Sequence, residues 1–151
     1  MNYAPMPSEL ISEALQLVRP AFVQAAALCL RSGSRGREVM LIRTFTRKQW
    51  VIPKGWPMQN RTLAEAAAIE AWEEAGVRGR VHPEAIGAFT YTKLKKSGLP
   101  VQCRAQVFML DVDSVHDIYP EAKRRIRQWA SLPDAAGMVK NRQLKALLAS
   151  M

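Results

Sequence analysis

Glu70, Glu73 and Glu74 stand at i, i+3 and i+4 in the run Ala66-Ala-Ala-Ile-Glu-Ala-Trp-Glu-Glu-Ala-Gly76. On a helix of 3.6 residues per turn these positions share one face, so three negative charges meet there. Like charges at that spacing destabilise a helix, and a hard divalent cation held through carboxylate oxygens and waters offsets the repulsion. Mg²⁺ is the cation the cluster implies, with Mn²⁺ as its substitute. The competing reading is a solvated acidic helix face.

The segment around the cluster carries its own folding signals. Thr62-Leu-Ala-Glu65 has the spacing of a capping box, with Thr62 as N-cap and Glu65 at N3. The spacing predicts a helix from Leu63 to about Ala75, stopped by Gly76. Ala64, Ala67, Ala68, Ala71 and Ala75 form a narrow stripe that lets the helix approach a sheet closely. Glu65 points away from the other three glutamates and is explained as a cap.

Upstream, Ser8 to Val18 reads as a short amphipathic helix. Phe22 to Arg31 and Val39 to Phe45 are apolar runs of strand length around the turn cluster Ser32-Gly-Ser-Arg-Gly36, which predicts a hairpin. Trp50 to Pro53 reads as a further short strand. Downstream, Ala88 to Lys93 and Val101 to Val112 are expected as strands, Asp111 to Tyr119 as a loop, and a helix from about Pro133 with Ser131 and Asp134 at its cap. Strands interrupted by one central and one terminal helix point to an α/β sandwich with a mixed sheet. We expect a single domain over residues 1–151, with a helical extension at 1–20 and a helical tail at 137–151. Leu144, Leu147, Leu148 and Met151 fall at helical spacing and are expected to pack on the same domain; the open alternative is a homodimer interface.

The chain has 151 residues, 48% hydrophobic and 23% charged, as in ordinary globular proteins. No apolar run approaches the ~18 residues of a membrane span, and Met1 to Ser8 lacks the pattern of a secretory signal. Cys29 and Cys103 lie in apolar strand-like segments and read as reduced core thiols, which suits a cytoplasmic protein. The net charge of +9 favours polyanionic partners.

Gly55 to Val77 resembles the Nudix box, G-x5-E-x7-R-E-U-x-E-E-x-G-U with U aliphatic, at Gly55, Glu70, Glu73, Glu74, Gly76 and Val77. Three positions depart: Arg61 replaces the first glutamate, Ile69 the arginine, and Ala71 is small for U. Ala25-Ala-Ala-Leu-Cys-Leu-Arg31, Trp50-Val-Ile-Pro-Lys-Gly55 and Arg125-Ile-Arg-Gln-Trp129 followed by Pro133-Asp-Ala135 are similar to segments of the diphosphoinositol polyphosphate phosphohydrolase branch. The resemblance implies an α/β/α sandwich with the box as loop-helix-loop. It also implies Mg²⁺-dependent hydrolysis of a diphosphate linkage in a polyphosphorylated small molecule, of the dinucleoside polyphosphate or diphosphoinositol type. By position it makes Glu73 and Glu74 metal ligands and Glu70 a further ligand or the base. The backbone of Lys54 or Gly55 would complete the metal sphere. An extra carboxylate outside the box is expected, with Glu121 preferred over Asp111, Asp113 and Asp117; Gln128, before Trp129, cannot ionise.

In the family the first glutamate and the arginine of the box often interact. Losing one partner alone would leave an uncompensated charge, costing roughly 3–5 kcal/mol when buried, whereas losing both can be nearly neutral. Arg61 and Ile69 therefore read as a coordinated change, unless the Arg61 guanidinium turns toward the carboxylates or the substrate. For substrate phosphates the expected set is Arg31, Arg43, Lys54, Arg104 and Arg127, the first and last by resemblance and the others by strand position and sign. Trp50, Trp56 and Tyr91 could stack on a base, with core packing the plainer role. Two further readings stay open: an RNA 5′-end pyrophosphohydrolase, and a weakly active nucleotide- or RNA-binding module.

Overall fold

The computed structural model describes residues 22–151; the expected helix at Ser8 to Val18 and the extension at 1–20 lie outside the described residues. In chain order the elements are β1 (Phe22–Gly33), β2 (Gly36–Thr44), β3 (Lys54–Gly55), α1 (Leu63–Ala75), β4 (Val77–Val81), β5 (Gly87–Leu94), β6 (Pro100–Val115), β7 (Arg125–Ser131), α2 (Leu132–Met138) and α3 (Arg142–Ala149). The strands form a seven-stranded sheet with the path β4-β6-β1-β2-β7, to which β3 adds on β1 and β5 on β6. Only the β1–β6 pairing is parallel among these, so the sheet is mixed.

Alternation along β1 sorts the core into two layers. Ala25, Ala27 and Cys29 face the Ala-rich side of α1, together with Met40, Ile42, Phe108 and Leu110. Ala26, Leu28 and Leu30 face the other way, onto Leu132, Ala135, Leu144 and Leu148 of α2 and α3. Helices on both sides of the sheet make the α/β/α sandwich. The helix–sheet contact through α1 is built from alanines on both elements, which brings the glutamate-bearing helix close to the strands.

α1 has the predicted boundaries. Thr62 accepts from the Glu65 N–H and Glu65 reaches back to the Thr62 N–H, completing the capping box. Gly76 takes the left-handed conformation at φ 67°, where a Cβ would also strike Tyr119, the His116 carbonyl and Arg127. Both conformation and space exclude a side chain there.

Three expectations need correction. β6 continues to Val115, through residues read as a loop from Asp111, because its far half pairs with β4. β4 and β7 were not among the expected strands. Trp50 and Val51 make only single bridges, to Val139 and Ile42, and the third strand falls on Lys54–Gly55. Pro53 has no N–H to donate to a ladder, so pairing resumes after it. At the C-terminus, Leu144 and Leu148 are fully buried on the same domain. Leu148→Ala should therefore cost about 2–5 kcal/mol of stability, visible as a lower urea midpoint with an unchanged slope.

Candidate active site

β2 pairs with β1 only from Leu30 to Gly33, then follows β7 instead. β3 fills part of the vacated edge, pairing Gly55 with Ala25 and Lys54 with Ala26. The separation opens a cleft of about 380 Å³. Its basic side chains are Arg43, Arg47, Lys54, Lys93 and Arg125, and Glu74 of α1 lies among them. Gln24 is buried in its wall and accepts from the Tyr91 hydroxyl.

Glu70 and Glu74, one turn apart on α1, are both buried. Burial first, then the charges of Glu74 and Glu73, push the Glu70 carboxyl from an ordinary 4.5 up to about 8. Burial also raises Glu74, opposed by the nearby Arg125 and Lys54 cations. Lys54 is pulled below its ordinary value, chiefly by burial. A Cβ on Gly55 would lie 2.2 Å from Glu70 Oε1, so only glycine leaves room for that carboxylate. Glu73 is half-buried, and its carbonyl accepts from the Glu121 N–H at 2.9 Å, tying the segment before β7 to α1. Among the described residues, no group of three or more His, Cys, Asp or Glu side chains stands ready to hold a metal ion by itself.

The basic residues divide by place. Arg43 and Lys54 reach the cleft, where Arg43 lies over Trp50 and Lys54 over Tyr91. Arg31 does not: it pairs with Glu38 at 3.0 Å and covers Trp129. It sits five residues along β1 from Ala26, roughly 17 Å at strand rise. Arg104 is exposed on β6 and is not part of the cleft wall. Arg127 is a clamp rather than a cleft residue. Its Nη1 donates to the Ala75 and His116 carbonyls at 2.7 and 2.6 Å, and Nη2 pairs with Asp117. Arg127→Met should leave two carbonyls without their donor, costing about 2–3 kcal/mol. Scanning calorimetry should read this as a Tm lower by roughly 5–10 °C.

Of the carboxylates outside the box, Glu121 is the one near α1, held by Arg124 at 3.3 Å and Arg125 at 3.4 Å. Asp111 is engaged by His82 and Arg80, and Asp117 by Arg127. Arg61 pairs with Glu65 on the exposed start of α1, so its guanidinium turns away from the carboxylate pocket. Trp56 is exposed beside Phe22 and Lys93, whereas Trp50 and Tyr91 are half-buried.

The residue that sequence reasoning missed is Arg125, whose Nη2 lies 3.5 Å from Glu74 Oε1. The signal was available in the alternation of Arg125, Arg127 and Trp129. Strand pairing sets them opposite Thr44, Ile42 and Met40, on the face that α1 covers.

The NUDIX domain family profile matches residues 22–148. Nudix hydrolase 12, mitochondrial, of Arabidopsis thaliana is 32% identical over 102 residues, covering 65% of this chain and 50% of the relative. Diphosphoinositol polyphosphate phosphohydrolase 3-alpha of Mus musculus is 30% identical over 115 residues, 74% of this chain and 65% of the relative. The chain spans about half the length of the plant relatives it matches. Among solved structures, a C. elegans Ap4A hydrolase binary complex superposes with a TM-score of 0.63 at 20% identity, over 85% of this chain and 93% of the other. The E. coli dihydroneopterin triphosphate pyrophosphohydrolase gives 0.65 at 13% identity, over 87% and 97%. With the match running from β1 into α3 and the mixed-sheet sandwich shared with these structures, this chain belongs to the Nudix family.

Proposed function

We propose that this chain is a divalent-cation-dependent hydrolase of a phosphoric anhydride bond in a polyphosphorylated small molecule, of the dinucleoside polyphosphate or diphosphoinositol polyphosphate type. The observation that carries the reading is the buried Glu70–Glu74 pair beside a cleft walled by Arg43, Arg47, Lys54, Lys93 and Arg125. Crowded buried carboxylates oppose folding, and a purely anion-binding cleft has no use for them.

The donor set suits Mg²⁺, with Mn²⁺ as a substitute. Mg²⁺ keeps several waters and uses one or two carboxylates plus substrate phosphates, so a preformed cage of three side chains is not required. Glu70 and Glu74 would hold it, with Glu73 nearby and the Lys54 or Gly55 backbone as a further oxygen source. Held there, the ion would supply charge neutralisation at the phosphate oxygens and orientation of a water. The chain supplies the rest. Lys54, Arg43 and Arg47 fix the polyphosphate by charge-assisted hydrogen bonds, and Glu70 is the carboxylate that takes the proton of the attacking water. Glu121 stands behind Glu74 as the extra carboxylate.

The test is a hydrolysis screen of dinucleoside polyphosphates, diphosphoinositols, nucleotide sugars and triphosphorylated or capped RNA, with Mg²⁺ and with chelator, for wild type and Glu74→Gln. Release of phosphate or pyrophosphate only by the wild type with the ion supports the reading; equal inactivity of both across the panel ends it. A second reading, action on RNA 5′ ends, draws on the shallow groove of Arg47, Lys48, Gln49, Thr92 and Lys140 adjoining the cleft. It predicts binding whose salt dependence steepens with RNA length.

A further inference from the structure

Arg125 has more cationic capacity than its contacts use. Both of its ion-pair contacts, to Glu74 and to Glu121, run through Nη2 at 3.5 and 3.4 Å. That is longer than the 2.7–2.9 Å usual for charge-assisted bonds. Its Nε is buried with no hydrogen-bond partner among the described residues. A guanidinium carries five N–H donors in a fixed fork, so this one is held in place yet under-satisfied. It also lines the cleft beside Lys54.

We propose that Arg125 is the resident counter-cation of the carboxylate pocket: it neutralises Glu74 and Glu121 until a divalent ion takes over Glu74, and its freed donors then engage the substrate's phosphate oxygens. The inference rests on the proposed metal-dependent hydrolysis. Three features support it. The long Nη2 contacts make Glu74 cheap to release. The buried, unpartnered Nε leaves the guanidinium under-satisfied, so its cleft-facing end gains from an incoming anion. The β7 backbone, paired from Glu38–Ser131 to Thr44–Arg125 with β2, keeps the side chain at the cleft in either arrangement. Arg125 is thus a positioning residue toward Glu74 and a binding residue toward substrate.

The two roles predict opposite effects of one substitution. Isothermal titration of the 151-residue chain with Mg²⁺ or Mn²⁺ alone should show Arg125→Gln binding the ion about five- to tenfold more tightly than wild type, because a competing charge is gone. Hydrolysis of a diadenosine polyphosphate by the same variant should show KM raised about tenfold or more with kcat changed less. Arg125→Lys keeps the charge without the planar fork; it should return ion affinity to the wild-type value while leaving KM raised. A purely structural arginine would give neither the tighter ion binding nor this split. Unchanged or weaker ion binding by Arg125→Gln overturns the proposal, as does an unchanged KM. If Arg125→Gln does not fold, the Arg125→Lys pattern decides alone, and a wild-type KM there overturns it. Failure of wild type to bind the ion or hydrolyse any diphosphate would instead remove the underlying reading.

Discussion

Glu70→Gln is expected to lower kcat/KM by about 10²–10⁴-fold, the usual contribution of a general base, while making the cation-free protein more stable. The two effects share a cause. Burial and the charges of Glu74 and Glu73 raise the Glu70 carboxyl from 4.5 to about 8. Between those pH values the folded chain keeps a proton that the unfolded chain has lost, so wild-type stability falls as pH rises through the window. Glutamine has no proton to lose and brings no charge into the pocket. In chelator, the Tm of the variant should exceed that of wild type by a margin that is small at pH 5 and grows toward pH 8, reaching roughly 3–6 °C. Adding Mg²⁺ should stabilise wild type and erase the margin, since a ligand that binds only the folded state raises stability by mass action. A variant that loses activity and stability together would point to a structural role for Glu70.

Gly55→Ala is the second large effect, and it needs no change in charge. The added methyl would fall 2.2 Å from Glu70 Oε1 and 2.3 Å from its carboxyl carbon. The carboxylate must retreat by roughly 1 Å, a displacement that can cost about 10²-fold in rate when it misplaces a reacting group. Gly55 cannot yield easily, because its backbone is paired with Ala25 in β1. We expect kcat/KM to fall about 10²-fold and the Mg²⁺ half-saturation to rise, with the domain still folded by circular dichroism. Wild-type kinetics in Gly55→Ala would show that Glu70 need not occupy this position.

α1 was readable because its signals are local. The capping box, the alanine stripe and Gly76 all act within a few residues, and the structure uses each as its spacing indicates. β1, β2, β5 and β6 were readable for the same reason, as runs of strand length bounded by turn residues. β7 was not, because Arg125 and Arg127 interrupt its apolar pattern. They point inward only because α1 lies above them with a carboxylate and a carbonyl to receive them. β4 is short and carries two arginines, Arg78 and Arg80; it becomes a strand by pairing with the far half of β6.

The glutamate face, its helix and the Gly76 that stops it are thus determined by the sequence itself, since periodicity and caps fix them without knowledge of neighbours. That Gly55 makes room for Glu70 was decided by the packing of α1 on β3. Which cations meet those glutamates was decided only by the tertiary structure. Arg31 and Arg127, expected as phosphate ligands by resemblance, and Arg104, expected by strand position and sign, are led by the sheet to Glu38, to the end of α1 and to solvent, respectively. Arg125, fifty-one positions after Glu74, comes within 3.5 Å of it. Charge attraction depends on distance in space, and strand pairing, not sequence separation, sets that distance.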